Sequence, residues 1–159
     1  MAKKILLLNG PNLNMLGKRD PKLYGDITLK DVEETCEKLA KQNGIQLESK
    51  QTNYEGELVE FIHAARETSE AIIINPGAYS HTSVAIFDAL EMFQGPIVEV
   101  HKSNIHKRES FRHYSYVSQR ADSVIVGCGV QGYELALLRL VQILKDTKHR
   151  ISRPFLIKV

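Results

Sequence analysis

The segment AIIINPGAYSH, residues 71–81, is the most informative stretch of the chain for its architecture. It begins with a short apolar run, the pattern of a strand buried on both faces of a parallel sheet. It then changes abruptly to Asn, Pro, Gly and polar side chains, which are typical of a turn. In α/β proteins such turns matter because ligands bind beyond the carboxyl ends of the strands.

Apolar strand patterns alternate with helical patterns along the chain of 159 residues. The clearest helix covers residues 29–40, where Thr28 can cap the start and Gly44 can end it. This alternation predicts an α/β fold with helices on both faces of a five-stranded parallel sheet. The predicted strands are residues 4–8, 45–52, 71–74, 96–100 and 123–126, the predicted helices are 29–40, 58–65, 84–93 and 131–145, and residues 155–159 are a candidate edge strand.

Length and composition predict one domain over residues 1–159, with 147–159 as a possible tail. No apolar run approaches the roughly 20 residues that cross a membrane, and the first apolar stretch is too short for a secretory signal. We therefore expect a cytoplasmic protein with no membrane contact. A net charge of +2 does not favour nucleic acid as a partner. Cys36 and Cys128 match no metal or redox spacing, and we expect both to be buried, reduced thiols.

Three polar loops follow predicted strands, at residues 9–14, 75–81 and 101–106. Because the carboxyl ends of parallel strands lie on one edge of a sheet, we expect these loops to lie together. Asn, Gly and Pro are ordinary turn residues. Three such loops on one edge, with His81 and His101 among them, nevertheless indicate a binding site for a polar ligand.

Glu99 and His101 are two positions apart, so on a continuing strand their side chains face the same side. A carboxylate beside an imidazole fixes the tautomer of the ring and stabilises its charged form. The pair is therefore a candidate general acid, and a surface ion pair is the alternative.

The connection at residues 17–25 is long for a loop between a strand and its helix, and glycine stands at both ends. It could hinge as a lid, and it carries Arg19 and Tyr24. Tyrosine is a poor base because its usual pKa is about 10, but nearby guanidinium groups stabilise tyrosinate. Arg19, Arg108 and Arg112 are available for this role. Arginine also binds carboxylates through paired N–H groups, which suits an anionic substrate.

Residues 127–132, GCGVQG, match the G-x-G-x-x-G pattern of dinucleotide-binding proteins. That fingerprint requires a later strand ending in an acidic residue, whereas a helix and a basic tail follow here. We therefore predict close helix–strand packing for these glycines. The histidines lack a matching set of acidic or cysteine partners, so we expect no metal site.

Taken in order, these segments resemble the type II 3-dehydroquinate dehydratases of the shikimate pathway. The family implies a flavodoxin-like three-layer fold and loss of water from 3-dehydroquinate, a small cyclic anion, to give 3-dehydroshikimate through an enolate. It also implies no metal, no cofactor and a homo-oligomer, a dodecamer assembled from trimers. The resemblance rests on residues 8–14, 24–25, 53, 55–58, 74–83, 99–101, 103–106, 108, 111–112 and 127–133.

The resemblance implies a role for each matching residue. Tyr24 would be the base that removes the proton beside the ketone. Arg19 and Arg108 would favour its tyrosinate form. His101, oriented by Glu99, would protonate the departing hydroxyl.

The remaining roles concern the enolate and the grip on the substrate. Asn12 would stabilise the enolate through a water, and Asp88 would reach the substrate from a neighbouring subunit. Lys102 departs from the family pattern, in which an aliphatic residue is usual, and Phe87 beside Asp88 is also unexpected. Further substrate contacts are implied for the side chains of Asn75, His81 and Arg112 and for the backbone N–H groups of Lys102 and Ser103.

Other functions stay open from the residues alone. The fold class and the glycines at 127–132 are compatible with a binding module for a small anion or nucleotide. A structural oligomer without activity is a second alternative. A third keeps the chemistry but acts on quinate or a related cyclic polyol.

Overall fold

The computed structural model describes residues 2–18, 22 and 25–146. Five parallel strands form one sheet, which confirms the predicted parallel α/β architecture. The strands are β1 (Lys3–Asn9), β2 (Ile45–Gln51), β3 (Ala71–Asn75), β4 (Ile97–His101) and β5 (Ser123–Val126). Their order in the sheet is β2-β1-β3-β4-β5. The candidate edge strand at 155–159 lies outside the described residues.

Helices cover both faces of the sheet and complete three layers. The helices that do so are α1 (Leu29–Gln42), α2 (Glu55–Thr68), α3 (Val84–Glu91) and α4 (Gln131–Lys145). Helices α1 and α4 share one apolar core with one face of the central strands, and α2 and α3 share a second core with the other face. Burying one Leu or Ile side chain stabilises a fold by about 1.5–3 kcal/mol, so both faces contribute strongly.

Strand β1 shows why the apolar runs are continuous. Ile5 and Leu7 enter the core beneath α1 and α4, while Leu6 and Leu8 enter the core beneath α2 and α3. Successive side chains of a strand point to opposite faces, so a central strand must be apolar at every position. The edge strand β2 is half-exposed, which explains its alternating pattern.

Helix α1 begins as its sequence predicts. The Thr28 hydroxyl accepts a hydrogen bond from the Asp31 backbone N–H at 3.2 Å, and the Asp31 carboxylate accepts one from the Thr28 N–H at 2.9 Å. This reciprocal pair satisfies two N–H groups that the helix itself leaves unpaired. Gly44 follows the helix with a φ of 69°, a conformation that glycine adopts without strain.

Helix α3 ends at Glu91, two residues before the predicted end. The buried guanidinium group of Arg120 stabilises this end of the helix. Its Nε donates to the Leu90 carbonyl at 3.0 Å, and its Nη2 donates to the Phe93 carbonyl at 2.6 Å. Carbonyl groups at the end of the helix are thus satisfied by a side chain from a distant loop.

The two cysteines differ, which corrects one prediction. Cys36 is buried against the sheet, and burial raises the pKa of its thiol to about 12. Cys128 is exposed, because it lies in the turn after the edge strand β5 and not in the core. Within the described part of the chain, no helix is long and apolar enough to cross a membrane.

Candidate active site

The three predicted polar loops meet at the carboxyl edge of the sheet. Strands β1, β3 and β4 are adjacent, and Asn9 pairs in register with Asn75. The Gly10 N–H donates to the Asn75 carbonyl at 2.8 Å and ties the first two loops together. Glu99 pairs with Ile74 on the next strand, which brings the third loop beside the second.

Glu99 and His101 form a buried pair at the end of β4. The side chains lie on the same face of the strand, and the His101 Nε2 is 2.7 Å from the Glu99 Oε1. Two hydroxyl groups also donate to this carboxylate, from Ser115 to Oε1 at 2.5 Å and from Ser118 to Oε2. The alternative of a surface ion pair is therefore wrong.

Three hydrogen bonds keep the Glu99 carboxylate ionised. Burial raises the pKa of Glu99, but the hydrogen bonds from His101, Ser115 and Ser118 outweigh burial and lower the pKa below its ordinary value. An ionised carboxylate can only accept hydrogen bonds, so the His101 Nε2 carries a proton. The Nδ1 of His101 then takes no part in the contact with Glu99.

His81 is fixed in a different way. Its Nδ1 is 2.7 Å from the Tyr114 carbonyl oxygen, which can only accept, so Nδ1 carries the proton and Nε2 remains for a ligand. The rings of His81 and His101 stack with their centroids 6.0 Å apart. The structure thus brings together two imidazoles that the sequence places 20 positions apart.

Asn75 is buried beneath the surface of the candidate site. It is 3% exposed, its Nδ2 donates to the Tyr133 hydroxyl at 2.8 Å, and its Oδ1 accepts from the Gly77 N–H at 3.1 Å. The Tyr133 hydroxyl in turn donates to the Asn9 Oδ1 at 2.7 Å. One N–H of the Asn75 amide remains for a substrate once these bonds are made.

The arginines lie on the loop that follows β4. Glu109 Oε2 accepts from the Arg112 Nε at 2.9 Å, and the Arg108 Nε is 3.6 Å from the same oxygen. Arginine has five N–H donors, so Arg112 keeps donors for an anion beside this contact. Lys102 is half-buried and Ser103 exposed, directly after His101.

The other predicted residues are spread more widely. The Asn12 backbone has a φ of 69°, which asparagine tolerates, and its N–H donates to the Asn53 Oδ1 at 2.9 Å. Asp88 lies on the exposed face of α3. Arg19 and Tyr24 lie outside the described residues.

The sequences of known proteins identify the family to which the chain belongs. The sequence model of the family described as "Dehydroquinase class II" matches residues 3–141. The chain belongs to the class II dehydroquinase family. The resemblance and the flavodoxin-like α/β fold predicted from the sequence are confirmed, and the chain is an enzyme of the hydro-lyase class.

Individual relatives in this family align with most of the chain. A 3-dehydroquinate dehydratase of Streptomyces avermitilis is 61% identical over 137 residues, which are 86% of each chain. One of Cereibacter sphaeroides is 55% identical over 140 residues, 88% of this chain and 95% of the relative. The crystal structure of the type II dehydroquinase from Propionibacterium acnes is 44% identical, covers 89% of this chain and 98% of its own, and has a TM-score of 0.84.

Three side chains that support the site could not be identified from the sequence, those of Ser115, Ser118 and Tyr133. Ser115 and Ser118 reach Glu99 from a loop whose chain crosses the carboxyl edge, where the Tyr116 N–H donates to the Ser80 carbonyl at 2.8 Å. No local pattern connects serines with a glutamate 16 and 19 positions earlier. The Tyr133 hydroxyl is missed for the same reason, because its helical spacing marks only a core residue.

Proposed function

We propose that this enzyme removes water from 3-dehydroquinate to give 3-dehydroshikimate. The observation that carries the proposal is the buried Glu99–His101 pair at the carboxyl edge, with the second imidazole of His81 stacked beside it. The printed names of the Streptomyces avermitilis and Cereibacter sphaeroides relatives support the choice of substrate. Dehydration beside a ketone needs a base, a group that stabilises the enolate and an acid.

His101 is the acid in this proposal. Its Nε2 proton is held by the Glu99 carboxylate. The proton that it transfers to the substrate is therefore assigned to Nδ1. When the carbon–oxygen bond breaks, Nδ1 protonates the departing hydroxyl, which leaves as water. The ionised Glu99 stabilises the imidazolium form of His101 before that transfer.

Tyr24 is the base. As tyrosinate it takes the proton from the carbon beside the ketone and becomes the neutral phenol. Arg19 and Arg108 favour tyrosinate through their positive charge. Asn12 stabilises the negative oxygen of the enolate, through a water molecule. The cycle closes when Tyr24 returns a proton to solvent and His101 takes one up. The proposed mechanism uses no metal and no cofactor.

The substrate is held by neutral and charged donors around this pair. Asn75 and His81 are proposed to bind its hydroxyl groups, since Asn75 keeps one amide N–H and His81 keeps its Nε2 beyond their protein contacts. Its carboxylate is proposed to bind the Arg112 guanidinium group and the backbone N–H groups of Lys102 and Ser103.

A neighbouring subunit completes the proposed site with Asp88. The exposed face of α3 that carries Asp88 also carries Val84, which is 49% exposed, and Met92, which follows the helix and is 43% exposed. Two large apolar side chains beside a carboxylate support burial of this face in an oligomer. The dodecamer assembled from trimers and the cytoplasmic location stay predictions.

The activity is tested by mixing purified protein with 3-dehydroquinate and following the ultraviolet absorbance of the conjugated enone product. We expect rapid growth of the signal, with the same rate in the presence of a chelator. Absence of any signal from a folded oligomer would contradict the proposed reaction. A rate that collapses with chelator would contradict the metal-free mechanism.

Substitution Tyr24→Phe tests the base. It removes only the phenolic oxygen, so we expect kcat to fall by about 10²- to 10⁴-fold while assembly is retained. The matched control is Tyr54→Phe, because the Tyr54 side chain is 72% exposed and lies in another part of the chain. A near-normal kcat for Tyr24→Phe, measured by steady-state kinetics, would refute the assignment of the base.

A further inference from the structure

The turn after β5, residues 127–129, holds two consecutive carbonyl groups at the end of β4; we name it the glycine turn. The Gly127 N–H donates to the His101 carbonyl at 3.2 Å, and the Gly129 N–H donates to the Lys102 carbonyl at 3.0 Å. Successive carbonyl groups of a regular strand point to opposite sides. Here two peptide groups in a row present their oxygens to the β5 side.

The opposite ends of these two peptide groups point away from β5. No cis peptide bond occurs among the described residues, and in a trans peptide the N–H points opposite to the C=O. The N–H groups of Lys102 and Ser103 are therefore directed toward the β3 side, since β4 lies between β3 and β5. That side carries His81, whose ring stacks with His101. Consecutive N–H groups on one side of the backbone form a concavity suited to an anion.

We propose that the glycine turn is a positioning element that orients the Lys102 and Ser103 N–H groups toward the carboxylate of the substrate. The inference rests on the proposed function, because it explains how these two donors are held in place. Gly127 and Gly129 do not touch the substrate and act through the carbonyl oxygens that they bind. The G-x-G-x-x-G pattern thus serves two purposes. Its last glycine, Gly132, packs α4 on the sheet, where an added Cβ would lie 3.2 Å from the Val100 Cγ1.

Gly127 and Gly44 form a matched pair of test positions, because Gly44 follows α1 and lies outside the glycine turn. Gly127 has a φ of 82° and Gly44 a φ of 69°, so alanine introduces left-handed strain at both. A Cβ at Gly127 would lie 3.0 Å from the Asn104 Cβ and 3.4 Å from the Asn104 Cα. A Cβ at Gly44 would meet nothing within 4 Å. Only the first substitution therefore presses on Asn104, the residue that follows Ser103.

The test compares Gly127→Ala with Gly44→Ala in steady-state kinetics with 3-dehydroquinate. We expect Gly127→Ala to raise KM by about tenfold, the effect of weakening one hydrogen bond to a charged group. Its kcat should stay within about threefold, because the contact is made equally in the ground state and the transition state. Gly44→Ala should leave both constants within about twofold, since it adds strain outside the site and without a collision.

A second variant guards against a general folding defect. Asn104→Gly removes the nearest atom of the collision, so Gly127→Ala combined with Asn104→Gly should recover much of the lost affinity relative to Asn104→Gly alone. The double variant also carries the test if Gly127→Ala does not fold.

Three results would overturn the inference: an unchanged KM for Gly127→Ala, an equal rise in KM for Gly127→Ala and Gly44→Ala, or no recovery in the double variant. A wild-type protein that does not turn over 3-dehydroquinate would instead refute the proposed function.

Discussion

Two buried polar networks lie beneath the carboxyl edge of the sheet, and they differ in charge. The charged network consists of Glu99, His101, Ser115 and Ser118, with three donors on one carboxylate. The neutral network consists of Asn9, Asn75 and Tyr133, joined through the Tyr133 hydroxyl. Both join elements that are far apart in sequence, and both replace apolar core packing with hydrogen bonds.

The difference in charge corresponds to a difference in purpose. Burial raises the pKa of Tyr133, so its hydroxyl stays protonated and the neutral network can only orient Asn75. In the charged network the hydrogen bonds lower the pKa of Glu99, so a negative charge persists beside an imidazole. A buried charge is costly unless it is fully hydrogen-bonded, which explains why three donors surround it. One network therefore orients a side chain, and the other prepares a proton transfer.

The largest expected effect is the loss of activity when the proposed acid of the charged network is removed. Because His101 supplies the proton for the departing hydroxyl, His101→Ala is expected to lower kcat by about 10²- to 10⁴-fold. His63→Ala, on the exposed side of α2, is the matched control and should keep normal kinetics. A steady-state rate within tenfold of wild type would remove His101 from the role of acid.

Neutralising the carboxylate should have a smaller effect on catalysis. Glu99→Gln keeps the shape of the side chain but loses the charge that stabilises imidazolium. A hydrogen bond to a charged group contributes about 1.5–3 kcal/mol, so kcat should fall by roughly 10- to 150-fold. The measurement is kcat across pH in the assembled enzyme. An unchanged kcat would mean that His101 works without its carboxylate partner.

The neutral network should affect stability more than chemistry. Tyr133→Phe leaves the buried Asn9 Oδ1 and Asn75 Nδ2 without their shared partner, which costs about 1–3 kcal/mol of unfolding free energy. The matched deletion is Tyr79→Phe, because the half-buried Tyr79 hydroxyl donates to the Asn53 carbonyl at 3.0 Å, where water can replace it. The free energies of unfolding of the two variants are compared by denaturant unfolding at a fixed protein concentration. Equal losses in both variants would argue against a special role for the neutral network.

A single hydroxyl of the charged network should give the smallest change, and one that depends on pH. Ser118 is half-buried, so Ser118→Ala should cost about 1 kcal/mol at neutral pH. Because Glu99 has a lowered pKa in the folded protein, this stabilisation is complete above the unfolded pKa of about 4.3. It is lost as the pH falls through the lower folded value. Unfolding measured from neutral pH into acid should therefore show the difference from wild type shrinking; a constant difference would contradict the ionised state of Glu99.

Much of the site could be anticipated from local spacing. The two-residue separation of Glu99 and His101 predicts their shared face, and the buried strands before the three loops predict a common edge. The burial of Cys128 was predicted wrongly, because apolar neighbours do not reveal that a turn follows an edge strand. The tyrosine assigned as base, Tyr24, stays a prediction.

Strand and helix periods, caps and turn residues depend on neighbours within a few positions, so the amino-acid pattern was enough to establish a parallel α/β sheet, its polar edge and the Glu99–His101 pair. The serines on Glu99, the Tyr133 hydroxyl between two asparagines, and the glycine turn behind Lys102 could be found only in the folded chain. Each of these contacts joins residues from separate elements. Their geometry depends on how the loops close over the sheet. No short-range pattern in the sequence specifies contacts between residues so far apart along the chain.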